Sequence, residues 1–203
     1  MSDSSLSVKL ILLGESGIGK TNLINIYLGE NYNPNELTTS NPCQTDTIKV
    51  INNKKLVVSL WDTMGQEKYR SVSKSFIRGS NIVIFVYDIT RRDTFLELNY
   101  WVNVVNEEIG DEEALFGIAA NKIDLFEKSE VEKEEGEEYA QKINALFYET
   151  SAKADVGFKN LVNQLLEKFV LNKNKTDEVQ DNEKNFSLKS QKGETNKKKK
   201  TCC

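Results

Sequence analysis

The octapeptide GESGIGKT, Gly14 to Thr21, has the residue types and spacing that hold phosphate. It matches G-x-x-x-x-G-K-[ST], and it stands between an apolar run and an amphipathic one. Glycine lets the backbone wrap closely, so the N–H groups of Gly14, Ser16, Gly17, Ile18 and Gly19 can face phosphate oxygens at a helix N-terminus. Lys20 would reach the β- and γ-phosphates, and the Thr21 hydroxyl would ligate Mg²⁺. The bare pattern arises by accident in roughly one chain in a hundred at average glycine usage, and its placement between strand and helix makes accident rarer. The cradle does not choose a base, since nucleoside kinases and ATPases use it too.

Three further segments can complete a nucleotide site. In NKID, Asn121 to Asp124, a carboxylate can accept hydrogen bonds from the N1–H and N2 amino groups of guanine. Adenine would leave that carboxylate unpaired, which costs a few kcal/mol. In WDTMGQE, Trp61 to Glu67, Asp62 can serve the metal through a bound water. The Gly65 N–H can contact a γ-phosphate, and Gln66 can orient an attacking water. In ETSAK, Glu149 to Lys153, a backbone N–H can meet the guanine carbonyl.

The elements that must position these segments are legible from periodicity. VKLILL (Val8 to Leu13), NIVIFVYD and LFGIAANK read as buried strands, and LFYETSA as another. TDTIKVI, the turn NNK and KLVVSLW read as an antiparallel hairpin. KTNLINIYL reads as a helix through Leu23, Ile26 and Tyr27, ending at Gly29. TFLELNYWVNVVNEEI should be helical, with Phe95, Leu98, Trp101, Val102 and Val105 on one face. EKEEGEEYAQKINA and GFKNLVNQLLEKFVL should be helices too. Alternating strands and helices predict an α/β fold with a six-stranded, mostly parallel sheet, one antiparallel edge strand and helices on both faces. Every motif falls just after a strand, at the edge where such sheets bind ligands.

The totals narrow the classes. The chain has 203 residues and a formal charge of −4. From Asn172 onward nine Lys stand against five Asp or Glu, giving +4 there and −8 for the remainder. An acidic globule with a basic tail speaks against nucleic-acid binding and for a tail that meets an anionic surface. Three cysteines, Cys43, Cys202 and Cys203, suit neither a disulfide framework nor a zinc site, and a reducing cytosolic setting fits them best. No segment reads as a signal peptide or a membrane span. The expected division is a globular domain over 1–171 and a disordered tail over 172–203, polar and too poor in apolar residues to order itself.

Taken together, GESGIGKT, WDTMGQE, NKID and ETSAK resemble the Ras-like small GTPases, in the family's order and near its spacings, from about Val8 to Leu171. KYRSV, FIRGS, FVYDIT and the terminal Cys-Cys resemble the Rab family. The resemblance implies a P-loop fold, GTP and GDP as ligands with Mg²⁺, and slow hydrolysis of GTP. It makes Gln66, Lys20 and Thr39 the catalytic set, and Thr21, Thr39 and Asp62 the metal set. It places Tyr32 against the guanine, the stems of Lys122 and Lys153 along the base, and Asn121, Asp124, Ser151 and Ala152 around it. Thr39 lies eighteen residues beyond Thr21, with Thr38 as its neighbouring competitor. The partners implied are an exchange factor, a GTPase-activating protein, a GDP-dissociation inhibitor and effectors, with the chain itself a monomer.

Two departures stand out. After Thr39 the family usually reads I-G-V-D-F, whereas this chain reads SNPCQ, so Gln44 replaces an aromatic of an effector-facing triad whose other members are Trp61 and Phe76. This predicts an atypical effector surface, with a neutral loop variant as the alternative. Met64 stands where the family usually has Ala. Arg70, Arg78, Arg91 and Arg92 are assigned to the surface, salt bridges or helix ends, so a trans activator should supply the missing arginine.

Lys197 to Lys200 before Cys202 and Cys203 read as a basic patch beside a lipid anchor, with geranylgeranyl on both cysteines by the Rab resemblance. The expected location is the cytoplasmic face of an intracellular membrane, in exchange with cytosol, and the expected role is vesicle trafficking. Two other readings compete. One is a nucleotide-locked scaffold that binds partners without cycling; the other is a nucleoside or nucleotide kinase, in which NKID and WDTMGQE would have no role.

Overall fold

The computed structural model describes residues 5–37, 39, 42–63, 76–110 and 113–174. Six strands form one sheet: β1 (Leu6–Leu13), β2 (Cys43–Ile51), β3 (Lys54–Asp62), β4 (Ile82–Asp88), β5 (Leu115–Asn121) and β6 (Leu146–Glu149). Their order is β2-β3-β1-β4-β5-β6. All neighbours run parallel except β2 and β3, which pair antiparallel, so β2 is the reversed edge strand.

The β2–β3 hairpin closes through Asn52 and Asn53, both at positive φ (50° and 61°). A two-residue loop of this hand matches the twist of the strands, and asparagine tolerates it well. Pro42 falls immediately before the first residue of the edge strand, where its missing N–H is harmless.

Helices cover both faces. On one side α1 (Lys20–Leu28) and the helix spanning 158–174 bury Leu23, Tyr27, Phe158, Leu161 and Leu165 against Leu10, Leu12 and Ile84. On the other, a short α2 (Arg92–Leu96) and α3 (Leu98–Ile109) bury Leu98, Trp101 and Val105 against Ile11, Leu13 and Phe85. Alternate residues of β1 thus serve opposite cores, as a period of two requires. The segment expected as one helix keeps a helical backbone through Glu97 (φ −67°, ψ −12°), whose N–H donates to Asp93 O at 3.1 Å and whose carbonyl accepts from the Trp101 N–H at 3.2 Å, so α2 leads directly into α3. Beyond Leu171 the last helix continues through 174, where Lys54 Nζ donates to Asn174 Oδ1. A further helix, α4 (Lys133–Lys142), opens with a capping box between Glu132 and Glu135.

The chain turns left and right from β1, which lies between β3 and β4. That reversal opens a crevice at the carboxyl ends of the central strands. Among the described residues no helix is long and apolar enough to cross a membrane.

Candidate functional site

A cleft of about 270 Å³ opens at this switch point, lined by residues 16, 17 and 19–22, by the loop carrying Tyr32, and by the ends of β3, β5 and β6. Its floor is the Gly14–Thr21 loop. Gly14 sits at φ 145°, and a Cβ there would meet the Val86 carbonyl oxygen at 2.3 Å. Gly19 sits at φ 96°, and a Cβ would lie 2.7 Å from Asn121 Nδ2. Both positions exclude a side chain by close approach as well as by backbone shape.

Five successive carbonyls of this loop accept side-chain donors. Lys20 Nζ donates to the Gly14 (2.9 Å) and Glu15 (2.8 Å) oxygens. Arg91 Nη1 donates to Ser16 O at 3.1 Å, Lys122 Nζ to Gly17 O at 2.9 Å, and Asn121 Nδ2 to Ile18 O at 2.7 Å. These bonds fix the orientation of the successive peptide units, and consecutive backbone N–H groups in such a loop are what makes an anion nest. Lys20 is buried, and burial pulls its amine down to about 8 against the opposing pull of the Asp62 and Glu15 carboxylates.

At one end of the cleft three oxygens converge. Thr21 Oγ1 donates to Asp62 Oδ2 at 2.7 Å, Thr39 Oγ1 to the same oxygen at 3.1 Å, and the two hydroxyls are 2.9 Å apart. The second carboxylate oxygen, Asp62 Oδ1, is buried with no hydrogen-bond partner among the described residues. Burial raises the Asp62 carboxyl above its ordinary value, against the Thr21 hydrogen bond and the Lys20 charge. Neighbouring ligands of an octahedral Mg²⁺ with bonds of about 2.05 Å are about 2.9 Å apart. Hard oxygen donors at that spacing, beside an orphaned carboxylate oxygen, fit Mg²⁺. Among the described residues no cluster of three His, Cys, Asp or Glu offers a different metal site.

The other end is built to hold one carboxylate still. Asp124 Oδ1 accepts from Ser151 Oγ at 2.6 Å, and Lys153 Nζ lies 3.7 Å from Asp124 Oδ2. Ser151 is in turn fixed by the Ala154 N–H (3.0 Å) and by a backbone bridge to Val156. Asn121 is buried and accepts from Thr150 Oγ1 at 3.2 Å while its amide grips Ile18. Lys122 adopts a left-handed backbone (φ 69°) and reaches both Gly17 O and the buried Asp88 carboxylate, at 2.7 Å. Ala152 and Lys153 line the same end, and Tyr32, 38% exposed, stands on the rim.

Several participants were not anticipated. Asp88 ends an otherwise apolar buried strand, and that single charge was the available signal. Asn22 exchanges two hydrogen bonds with the Asn33 backbone and so ties the Tyr32 loop to α1. Thr63 and Leu125 also line the cleft. Arg91, assigned to the surface, pairs with Asp93 at 2.8 Å but also touches the phosphate loop. Thr38, Met64, Gly65, Gln66, Cys202 and Cys203 lie outside the described residues.

On the outer face of the hairpin, Gln44 is paired opposite Trp61, whose ring is 5.4 Å from that of Phe76. Gln44 Nε2 donates to Asp46 Oδ1 at 2.8 Å and to Ser59 Oγ at 3.4 Å. A polar cluster thus stands at the position where the resemblance expects an aromatic, and hydrogen bonds to Asp46 from the Gln44 amide and then the Ser59 hydroxyl hold its carboxyl below the ordinary value.

Comparison with known proteins matches residues 9–172 to the Ras family. The Ras-related protein Rab-18 of Caenorhabditis elegans is 34% identical over 174 residues, covering 84% of this chain and 85% of that protein. The Ras-related protein Rab-17 of Mus musculus is 36% identical over 162 residues, covering 80% and 75%. Rab-18 of Caenorhabditis briggsae is 33% identical over 174 residues, covering 84% and 86%.

Proposed function

Because this chain belongs to the Ras family, and within it to the small GTPases of the Rab type, we propose that its cleft binds GTP and GDP with Mg²⁺ and switches a membrane-trafficking step. The observation that carries this reading is the convergence in one cleft of a phosphate loop whose carbonyls are tied by side chains, the Thr21–Thr39–Asp62 oxygens and the anchored Asp124 carboxylate.

The reaction is GTP + water → GDP + phosphate. The nest of backbone N–H groups and Lys20 bind the phosphate chain, with Lys20 placed to meet charge developing on the transferring group. Thr21, Thr39 and Asp62 would hold Mg²⁺, which supplies Lewis-acid stabilisation of the phosphate oxygens when bound. Gln66 orients the attacking water, and the Gly65 N–H and Thr39 sense the γ-phosphate. Asp124 accepts from the N1–H and N2 amino groups of guanine, and the 151–153 backbone meets its carbonyl. Thr39 stands on a loop, so its release on loss of the γ-phosphate is the conformational output. Turnover is slow alone, and an activator supplies an arginine in trans, worth on the order of 10³- to 10⁵-fold. Exchange factor, GDP-dissociation inhibitor and effectors complete the cycle.

The GTPase domain runs through the end of the last helix at Asn174, and the residues beyond it serve as a tether. Prenyl groups on Cys202 and Cys203, beside Lys197 to Lys200, hold the chain on the cytoplasmic leaflet. Purified protein with excess Mg²⁺ should retain labelled GTP and GDP, lose them to EDTA, and ignore ATP. Equal retention of ATP would overturn the reading. Single-turnover hydrolysis separates the switch from a locked scaffold.

A further inference from the structure

We propose that Arg91 is a positioning residue for the phosphate loop and sets how long the nucleotide stays bound. This rests on the reading above that the loop holds a nucleotide's phosphates. Of the five loop carbonyls, four are held by Lys20, Asn121 and Lys122, which belong to the nucleotide motifs themselves. The fifth, Ser16 O, is held by Arg91, from the segment after β4.

Arg91 is prepared for that contact at three points. Its N–H donates to Asp88 O at 3.0 Å. Its carbonyl accepts from the Thr94 N–H (3.1 Å) and from Thr94 Oγ1 (2.7 Å). Asp93 Oδ2 accepts from Nη2 at 2.8 Å, leaving Nη1 aimed at Ser16 O, 3.1 Å away. Asp88 also receives Lys122, so the 88–94 turn reaches two adjacent loop carbonyls, Ser16 directly and Gly17 through Lys122. An isolated exposed ion pair such as Arg91–Asp93 contributes little; its consequence here is to orient the guanidinium fork. Without it, the Ser16 peptide is free to rotate, and its flanking N–H groups lose their fixed aim at the phosphates.

Arg92 is the built-in control. It makes a bidentate pair with Glu135 (2.6 and 2.9 Å) and touches the Glu130 carbonyl at 2.9 Å; among the described residues its hydrogen bonds go to the 130–135 segment and not to the loop. The experiment measures release of fluorescent GDP, and the ³¹P spectrum of bound GDP, in the full chain with Mg²⁺. Arg91→Ala should speed release about fivefold, the effect of about 1 kcal/mol for a charge-assisted bond to a half-exposed donor, and should shift the phosphate resonances. Arg91→Lys should recover part of the loss. Arg92→Ala should leave both readouts at wild-type values. Equal release from wild type and Arg91→Ala, or an equal effect of Arg92→Ala, overturns the assignment to Arg91 and leaves the nucleotide reading intact. If the wild type retains no guanine nucleotide at all, both fall together.

Discussion

Asn121 offers the sharpest test of how the two ends of the cleft are joined. It is buried, it donates to Ile18 O at 2.7 Å, and it accepts from Thr150 Oγ1 at 3.2 Å. Replacing it with alanine strands the Ile18 carbonyl, at about 1–3 kcal/mol. Thr150 loses one acceptor but keeps the Ala120 carbonyl at 3.4 Å, so its share is smaller. The sum is about 2–4 kcal/mol. Aspartate should do worse although it has the same shape. Its second oxygen would face the Ile18 oxygen, and it would bring a charge into a buried position where the neutral amide now donates. Urea unfolding at fixed excess GDP and Mg²⁺ measures the stability loss, since bound ligand contributes by mass action. Release of fluorescent GDP measures the share felt by the loop; 2 kcal/mol there is about 30-fold. The expected order of damage is Asn121→Asp, then Asn121→Ala, then wild type. If Asn121→Asp is no more damaging than Asn121→Ala in both assays, the Asn121–Ile18 bond is not what couples the two ends.

Other outcomes follow from single contacts. Gly14→Ala would place a Cβ 2.3 Å from the Val86 carbonyl oxygen, which is backbone in a central strand, so loss of soluble expression or of more than about 3 kcal/mol by urea titration is expected. Thr39→Ala should weaken Mg²⁺-dependent retention of GTP, read as a lower EDTA concentration for half release, while Thr39→Ser should hold near wild type. Gln44→Phe, which removes the donor to Asp46 opposite Trp61, should raise the affinity of the GTP form for generic Rab effectors by surface plasmon resonance. The Arg92 hydrogen bonds hold the Glu135 carboxyl down at about 2. A carboxyl depressed on folding stabilises above its unfolded value and loses that contribution as pH falls through the folded one. The gap in urea midpoint between wild type and Glu135→Gln should therefore be full at neutral pH and narrow from about 4.5 towards about 2; a gap independent of pH would refute it.

Much of the fold was legible because period and punctuation agreed with tertiary need. β4 reads as an unbroken apolar run and is buried along its whole length. The Asn-Asn turn announced the hairpin and its reversed edge strand. The apolar spacing from Phe95 to Val105 announced the helical run that continues through Glu97. The motif residues were found as four separate strings. Their partners were not: Asn22 and Arg91 carry no local pattern that distinguishes them from ordinary helix or turn residues, and Asp88 offered only a lone charge at the end of an apolar strand.

By itself, the order of residues determined the chemistry available: a glycine-bounded loop with Lys20 and Thr21, a carboxylate at Asp62, another at Asp124, and an α/β chain that delivers each after a strand. Those are consequences of residue type and short spacing, which local sterics translate directly into loops and elements. Only the tertiary structure decided which groups meet. Thr39 comes to Thr21 and Asp62, Ser151 to Asp124, and Arg91 to Ser16, across separations of 18, 27 and 75 residues. Such pairings depend on strand order and on the turn at β1, and no stretch of chain near any one of these residues encodes its partner's position.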